Sequence, residues 1–358
     1  MNRFKQGLFV CLALGFGAAS IGTSWGGKSA GDGVATFAVL PDGVRFPEGI
    51  TANPVTGDIF VATFDLGPNL NKLLRYDRHG HLRAQREFGA APLLGLAFGP
   101  KDGRVYIANF GASRIQRIVA NFDDGSALED VAAVPMVGAP ANRIEGNPDG
   151  STDTIQFGSN SFPAPNAMAF DESGNLYVSD SFQGAIHRIA NAHSCSAPCP
   201  VTTVVHDPLL ATAGFPPFGA NGLALGADGS TLFVANTGDD RILKVDLATS
   251  AVTVFAESVN GADGIAFDRR GTLWVAANQA DEIVGLNGQG RVVERIGGFE
   301  GIRHNGAPDG LLFPASIVIL GHDLYVTNLA LALTSAPGDE WEEDVTRWTI
   351  SRVRLPRR

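Results

Sequence analysis

Charge is what this 358-residue chain has little of: 18% of its residues are Asp, Glu, Lys or Arg, against 44% hydrophobic. So low a charge density excludes a disordered chain, a coiled coil and a long solvated helical array. Basic residues are the scarcer sign, 27 Lys and Arg against 37 Asp and Glu, for a formal net charge of -10, and they form no runs. An acidic chain without basic clusters repels phosphate backbones, which argues against nucleic acid as a partner. Cysteine is scarce too, three residues in all. Cys195 and Cys199 lie in SCSAPCP without a second thiol pair or nearby paired histidines, so a zinc site is a poor reading. An even pair in a Ser/Pro loop of an exported chain suggests a small local disulfide instead. Residues 31–358 contain no G-x-S-x-G nucleophile elbow, phosphate loop, H-E-x-x-H helix or haem-attachment motif. Glycine is abundant, 44 residues beside 20 Pro and 22 Phe, and tilts the chain toward many turns.

Residues 1–30 open with Arg3 and Lys5, run apolar from Leu8 to about Ile21 and end in small residues, which reads as a secretory signal peptide. The apolar run is diluted by glycine and shorter than the roughly 20 residues of a spanning helix. Cys11 follows Val10, which does not suit lipid attachment. The expectation is an exported protein, periplasmic or secreted, with no membrane span once the leader is removed and with residues 31–358 as one domain.

Self-similarity sets the fold class. A strand, a glycine turn and a second strand recur six times, as FPEGITANPVTGDIFVA (46–62), LLGLAFGPKDGRVYIA (93–108), PNAMAFDESGNLYVS (165–179), ANGLALGADGSTLFVA (220–235), ADGIAFDRRGTLWVA (262–276) and PASIVILGHDLYVT (314–327). Third strands follow each pair, and fourth strands follow the first five. The sixth fourth strand is missing, and GVATFAVL (33–40) is free to supply it. Units recurring at intervals of 42 to 72 residues predict an all-β, six-bladed propeller closed by its N-terminal strand.

In a propeller the first strand of each blade lines the central channel. Aligning the copies puts Glu48, Leu94, Asn166, Asn221, Asp263 and Ala315 at equivalent inner positions. Two carboxylates and two amides form a hard, all-oxygen set of formal charge -2, which suits calcium, with magnesium, manganese or zinc behind it. Asn or Asp before Gly also serves simply to satisfy local backbone. Glu48 tips the balance toward a cation, because Glu is a poor turn former and a lone buried carboxylate needs a partner.

The segments PEGI, ANGLALGADGSTLFVANT and ADGIAFDRRGTLWVA resemble the senescence marker protein/gluconolactonase (regucalcin-like) family, related to calcium-dependent phosphotriesterase and paraoxonase-like propellers. The resemblance implies hydrolysis of a lactone or related ester, with Glu48, Asn166, Asn221 and Asp263 as metal ligands and an ionised Asp263 as catalytic residue. Asn166 departs from the pattern in being followed by Ala. Three long loops, 137–163, 297–313 and 328–348, fall on the ligand face and are expected to form a lid. They carry His304, a candidate for proton transfer, with Asp309 and Trp341; His206 sits in another such loop. Two readings compete with the hydrolase: a non-catalytic NHL-like propeller that binds a protein, peptide or glycan on its loop face, and a lyase or isomerase using the same cation on a sugar acid.

Overall fold

The computed structural model describes residues 33–67, 70–158 and 162–356. The proposed leader, residues 1–30, lies outside them. Six four-stranded antiparallel sheets are arranged as the blades of a propeller. Blade 1 comprises Pro47–Ala52, Ile59–Thr63, Lys72–Tyr76 and Leu82–Glu87, and blade 2 Leu96–Phe98, Arg104–Asn109, Arg114–Val119 and Glu129–Ala133. Blade 3 comprises Pro165–Phe170, Leu176–Asp180, Ala185–Ile189 and Val201–His206, and blade 4 Ala220–Leu225, Thr231–Asn236, Arg241–Asp246 and Val252–Glu257. Blade 5 comprises Ala262–Phe267, Leu273–Ala277, Glu282–Leu286 and Val292–Gly297. Blade 6 takes Pro314–Leu320, Asp323–Asn328 and Thr349–Arg354 from the C-terminal part and Val34–Val39 from the N-terminal part as its outer strand. Among the described residues no helix is long and apolar enough to cross a membrane.

Burial explains the sequence pattern. Second strands such as Ile59–Thr63 and Leu273–Ala277 are buried at every residue, being covered on both faces, and read as continuous apolar runs. The outer strand Leu82–Glu87 is exposed along much of its length and reads as alternating polar. The turn glycines Gly57, Gly103, Gly174, Gly229, Gly271 and Gly321 all take φ between 64° and 89°, a region glycine enters without a Cβ clash. Hydrophobic clusters fill the six wedges between neighbouring blades, including the wedge between blades 6 and 1, where Ala38 of the N-terminal strand packs with Ile50 and Ile350. The apolar core is therefore a ring, and the axis is left to other chemistry.

Each of the long loops contains a short element of regular structure. Loop 137–163 contains a hairpin, Arg143–Gly146 with Thr152–Ile155, and Arg143 ties it to Asp239 near blade 4 at 2.8 Å. Loop 297–313 contains a second hairpin, Phe299–Ile302 with Pro308–Gly310, and loop 328–348 a short 3-10 turn at Trp341–Asp344. Cys195 and Cys199 are joined in a disulfide, and the Cys199 amide donates to the Val131 carbonyl of blade 2 at 2.8 Å.

Candidate metal and active site

The inner residues owe their position to a recurrent break in the ladder. In blade 1 the first strand pairs with the second at Pro47 and again only at Ile50, so Glu48 and Gly49 fall in the gap. Blades 3, 4, 5 and 6 break in the same way between Pro165 and Met168, Ala220 and Leu223, Ala262 and Ile265, and Pro314 and Ile317. Backbone freed in this way is rejoined across blades. Ser179 Oγ of blade 3 donates to the Asn221 carbonyl, and Thr327 Oγ1 of blade 6 to the Glu48 carbonyl, each at 2.7 Å. A Cβ at Gly49 would stand 2.1 Å from the Leu94 carbonyl oxygen, and one at Gly222 the same distance from that of Asp263. Glycine follows Glu48, Asn221 and Asp263 because neighbouring first strands approach this closely at the axis, a different reason from turn formation.

Glu48, Leu94, Asn166, Asn221 and Asp263 line one pocket at the channel mouth, with about 420 Å³ of empty space, part of it open to solvent. Ala315 is buried but is not among its lining residues; Phe313 takes that sector. The two amides are oriented by hydroxyls. Ser181 Oγ gives its one proton to the Ala220 carbonyl at 2.7 Å, so it meets Asn166 Nδ2, 3.0 Å away, as an acceptor. Thr237 Oγ1 likewise donates to the Ala262 carbonyl at 2.7 Å and accepts from Asn221 Nδ2 at 2.9 Å. Each amide nitrogen is thereby assigned, and each Oδ1 is the atom left to face other groups. Asn278 Nδ2 donates to Asp263 Oδ2 at 3.1 Å.

Glu48 and Asp263 are 3% and 4% exposed, and Glu48 Oε2, Asp263 Oδ1 and Asn278 Oδ1 are buried without a hydrogen-bond partner. Burial, reinforced by the charge of Asp263, pushes the Glu48 carboxyl well above the usual range. Burial also pushes Asp263 up to about 7, opposed by hydrogen bonds from Asn278 and Asn221. Unpartnered carboxylate oxygens at this depth are costly, and a divalent cation relieves both desolvation and mutual repulsion. The residues present therefore fit the implied ion: two carboxylates and amide oxygens, hard donors of the kind calcium takes. Among the described residues no group of three or more His, Cys, Asp or Glu side chains is placed to hold a metal ion.

The structure does not bring His304 to this site. The hairpin in loop 297–313 carries it to an exposed turn outside the pocket lining. Asp309 pairs with Arg303 at 2.6 Å, Trp341 packs its ring against Phe299 with centroids 5.8 Å apart, and His206 is exposed at the end of its strand. Of the three long loops, 328–348 supplies Leu329, Leu331 and Leu333 to the pocket and 297–313 supplies Phe313. Ser181, Thr237 and Asn278 are the polar residues that sequence reasoning missed. They share one register just past the second strands of blades 3, 4 and 5, where the other three blades carry Phe64, Phe110 and Leu329. That contrast was available in the aligned repeats.

Residues 215–297 match the family model described as SMP-30/Gluconolactonase/LRE-like region. The match falls on blades 4 and 5, where two of the three recognition segments lie, and it supports the family resemblance. No curated protein sequence matches the chain significantly. A solved luciferin-regenerating enzyme is similar in fold, with a TM-score of 0.60 at 16% identity, over 87% of this chain and 92% of the other. A gluconolactonase from Xanthomonas campestris gives 0.56 at 16%, covering 91% of each chain. A calcium-binding regucalcin from Agrobacterium tumefaciens gives 0.55 at 16%, covering 90% of this chain and 97% of that one. At these identities the likeness speaks for the fold.

Proposed function

We propose that this chain is an exported, divalent-metal-dependent hydrolase of lactones or related esters. The observation that carries the reading is the pair of buried carboxylates, Glu48 and Asp263, set with unpartnered oxygens among the oriented amides of Asn166 and Asn221 at the floor of an apolar pocket. The matched family region and the gluconolactonase and calcium-binding neighbours agree with it.

Glu48, Asn166, Asn221 and Asp263 would hold the cation. When bound, it supplies Lewis-acid polarisation of the substrate carbonyl and charge stabilisation for the oxyanion that develops on attack. Asn278 donates to Asp263 Oδ2 and so orients the carboxylate, which would take a proton from the attacking water and return it to the leaving alkoxide. Ser181 and Thr237 keep the amides from rotating, and the apolar wall limits competing water.

The test is a panel of lactones and aryl esters on protein stripped with EDTA and then reloaded with calcium. Reloaded protein is expected to hydrolyse at least one of them, and stripped protein none. Asp263→Asn should lower kcat by a factor on the order of 10² or more while circular dichroism stays native. Undiminished turnover in that variant would remove Asp263 from the chemistry. A non-catalytic propeller that binds a macromolecule on its loop face would show no metal-dependent turnover at all.

A further inference from the structure

The pocket is chemically divided. Its polar lining residues, Glu48, Asn166, Asn221, Thr237, Asp263 and Asn278, form the floor, and the amide nitrogens among them are engaged within the site. The wall is apolar, built from Phe64 and Leu94 of blades 1 and 2, Phe218 ahead of blade 4, Phe313 ahead of blade 6, and Leu329 and Leu331 beyond the second strand of blade 6. Its described lining residues include no Lys, Arg or His. Part of this wall is braced from behind: Phe110 packs edge-on against Phe64 at 5.4 Å, Phe162 at 5.2 Å and Phe182 at 5.7 Å, and Phe182 lies 5.5 Å from Phe218. The apolar surface continues outward, since Phe215, next to pocket-lining Pro216, is 61% exposed.

We infer that the substrate presents its lactone or ester carbonyl on an alkyl or aryl body rather than on a polyhydroxylated ring. The inference rests on the hydrolase reading and narrows it. A carbonyl directed at the floor leaves the rest of the molecule against phenylalanine and leucine, where each buried methylene favours binding about fourfold. Hydroxyl groups in the same place lose water and meet no side-chain donor or charged group on that wall. Aromatic packing holds the wall in place before the substrate arrives, so little ordering is needed on binding.

Three δ-lactones with a common ring separate the possibilities: valero-δ-lactone without a side chain, nonano-δ-lactone with a butyl group, and glucono-δ-lactone with hydroxyls. On calcium-loaded full-length protein, with rates corrected for uncatalysed hydrolysis, kcat/KM for nonano-δ-lactone should exceed that of each of the others by a factor on the order of 100, three to four buried methylenes' worth. The double variant Leu331→Gln, Leu333→Gln should shrink the nonano-to-valero ratio roughly tenfold. Preference for glucono-δ-lactone, or no preference, overturns the inference and leaves the hydrolase reading standing. If none of the three is hydrolysed, the hydrolase reading passes to the wider lactone and ester panel, and equilibrium titration of the calcium-loaded protein decides the pocket's preference. Tighter binding of nonano- than of valero- and glucono-δ-lactone, lost in the double leucine variant, supports an apolar ligand body; equal binding or none overturns it.

Discussion

Glu48 and Asp263 face the same desolvated channel, and in the absence of a cation both are pushed toward the protonated form by burial, Glu48 further by the charge of its neighbour. Their folded-state values lie above the ordinary 4.5 and 3.8, so between roughly pH 4 and 7 the folded chain holds more protons than the unfolded one. This contribution to stability is present below pH 4 and is lost as pH rises through the folded values, about 7 for Asp263. In EDTA, the melting temperature should therefore carry a component that falls from pH 5 to pH 8. Saturating calcium should remove that component, and Glu48→Gln should reduce it in EDTA; differential scanning calorimetry across the pH series measures it. A pH profile identical with and without calcium would mean that these two carboxylates do not share an ion. Glu48, Asn166, Asn221 and Asp263 were legible as an inner set because the repeats align them. The aligned repeats also place Asn278 at a polar register position, but its role arises from contact with Asp263 fifteen residues earlier, on the neighbouring strand.

At the scale of the strand, the two-residue gap in the first-strand ladder turns a repeat position into a site position. The gap requires neighbouring blades to meet backbone to backbone, which is why Gly222 lies against Asp263. Gly222→Ala would drive a methyl group into that carbonyl, and a loss of about 1–3 kcal/mol is expected, read by urea unfolding. Calcium affinity should fall with it, since the strand that would shift carries Asp263; a variant as stable and as calcium-competent as the parent would refute the close-approach account. Blade 3 shows the permitted exception. Ala167 stands in the place of the glycine, its methyl packed with the cluster between blades 3 and 4, and Asn166 keeps the same inner position. The departure noted in the sequence thus leaves the geometry of the set intact.

For the whole ring, closure is supplied by Val34–Val39, which pairs with Thr349–Arg354 in five places from Val34 with Val353 to Val39 with Thr349. Phe37 and Ala38 also reach the wedge between blades 6 and 1, the wedge on which Glu48 depends through Thr327. Deleting residues 33–40 should expose the edge of the strand Thr349–Arg354 and lower the melting temperature by many degrees, with self-association visible in sedimentation velocity. A monodisperse deletion variant melting like the parent would show that the other blades hold the ring without this strand. The long loops were expected to form a lid. Loops 297–313 and 328–348 contribute apolar residues to the pocket wall, and the hairpin in 137–163 is joined to Asp239 by Arg143.

By itself the sequence determined the six-fold repeat, the strand that completes the last blade, the turn glycines and the inner register. Each is a local period or a glycine demand written once per blade, and six copies make it readable. Only the tertiary structure decided which loop residues join that register at the axis and which do not. His304 and Leu331 both lie in long loops without a repeat, and nothing local distinguishes the one that ends on an exposed turn from the one that lines the pocket. Their placement depends on packing between segments distant in sequence, as does the meeting of Glu48 from blade 1 with Asp263 from blade 5.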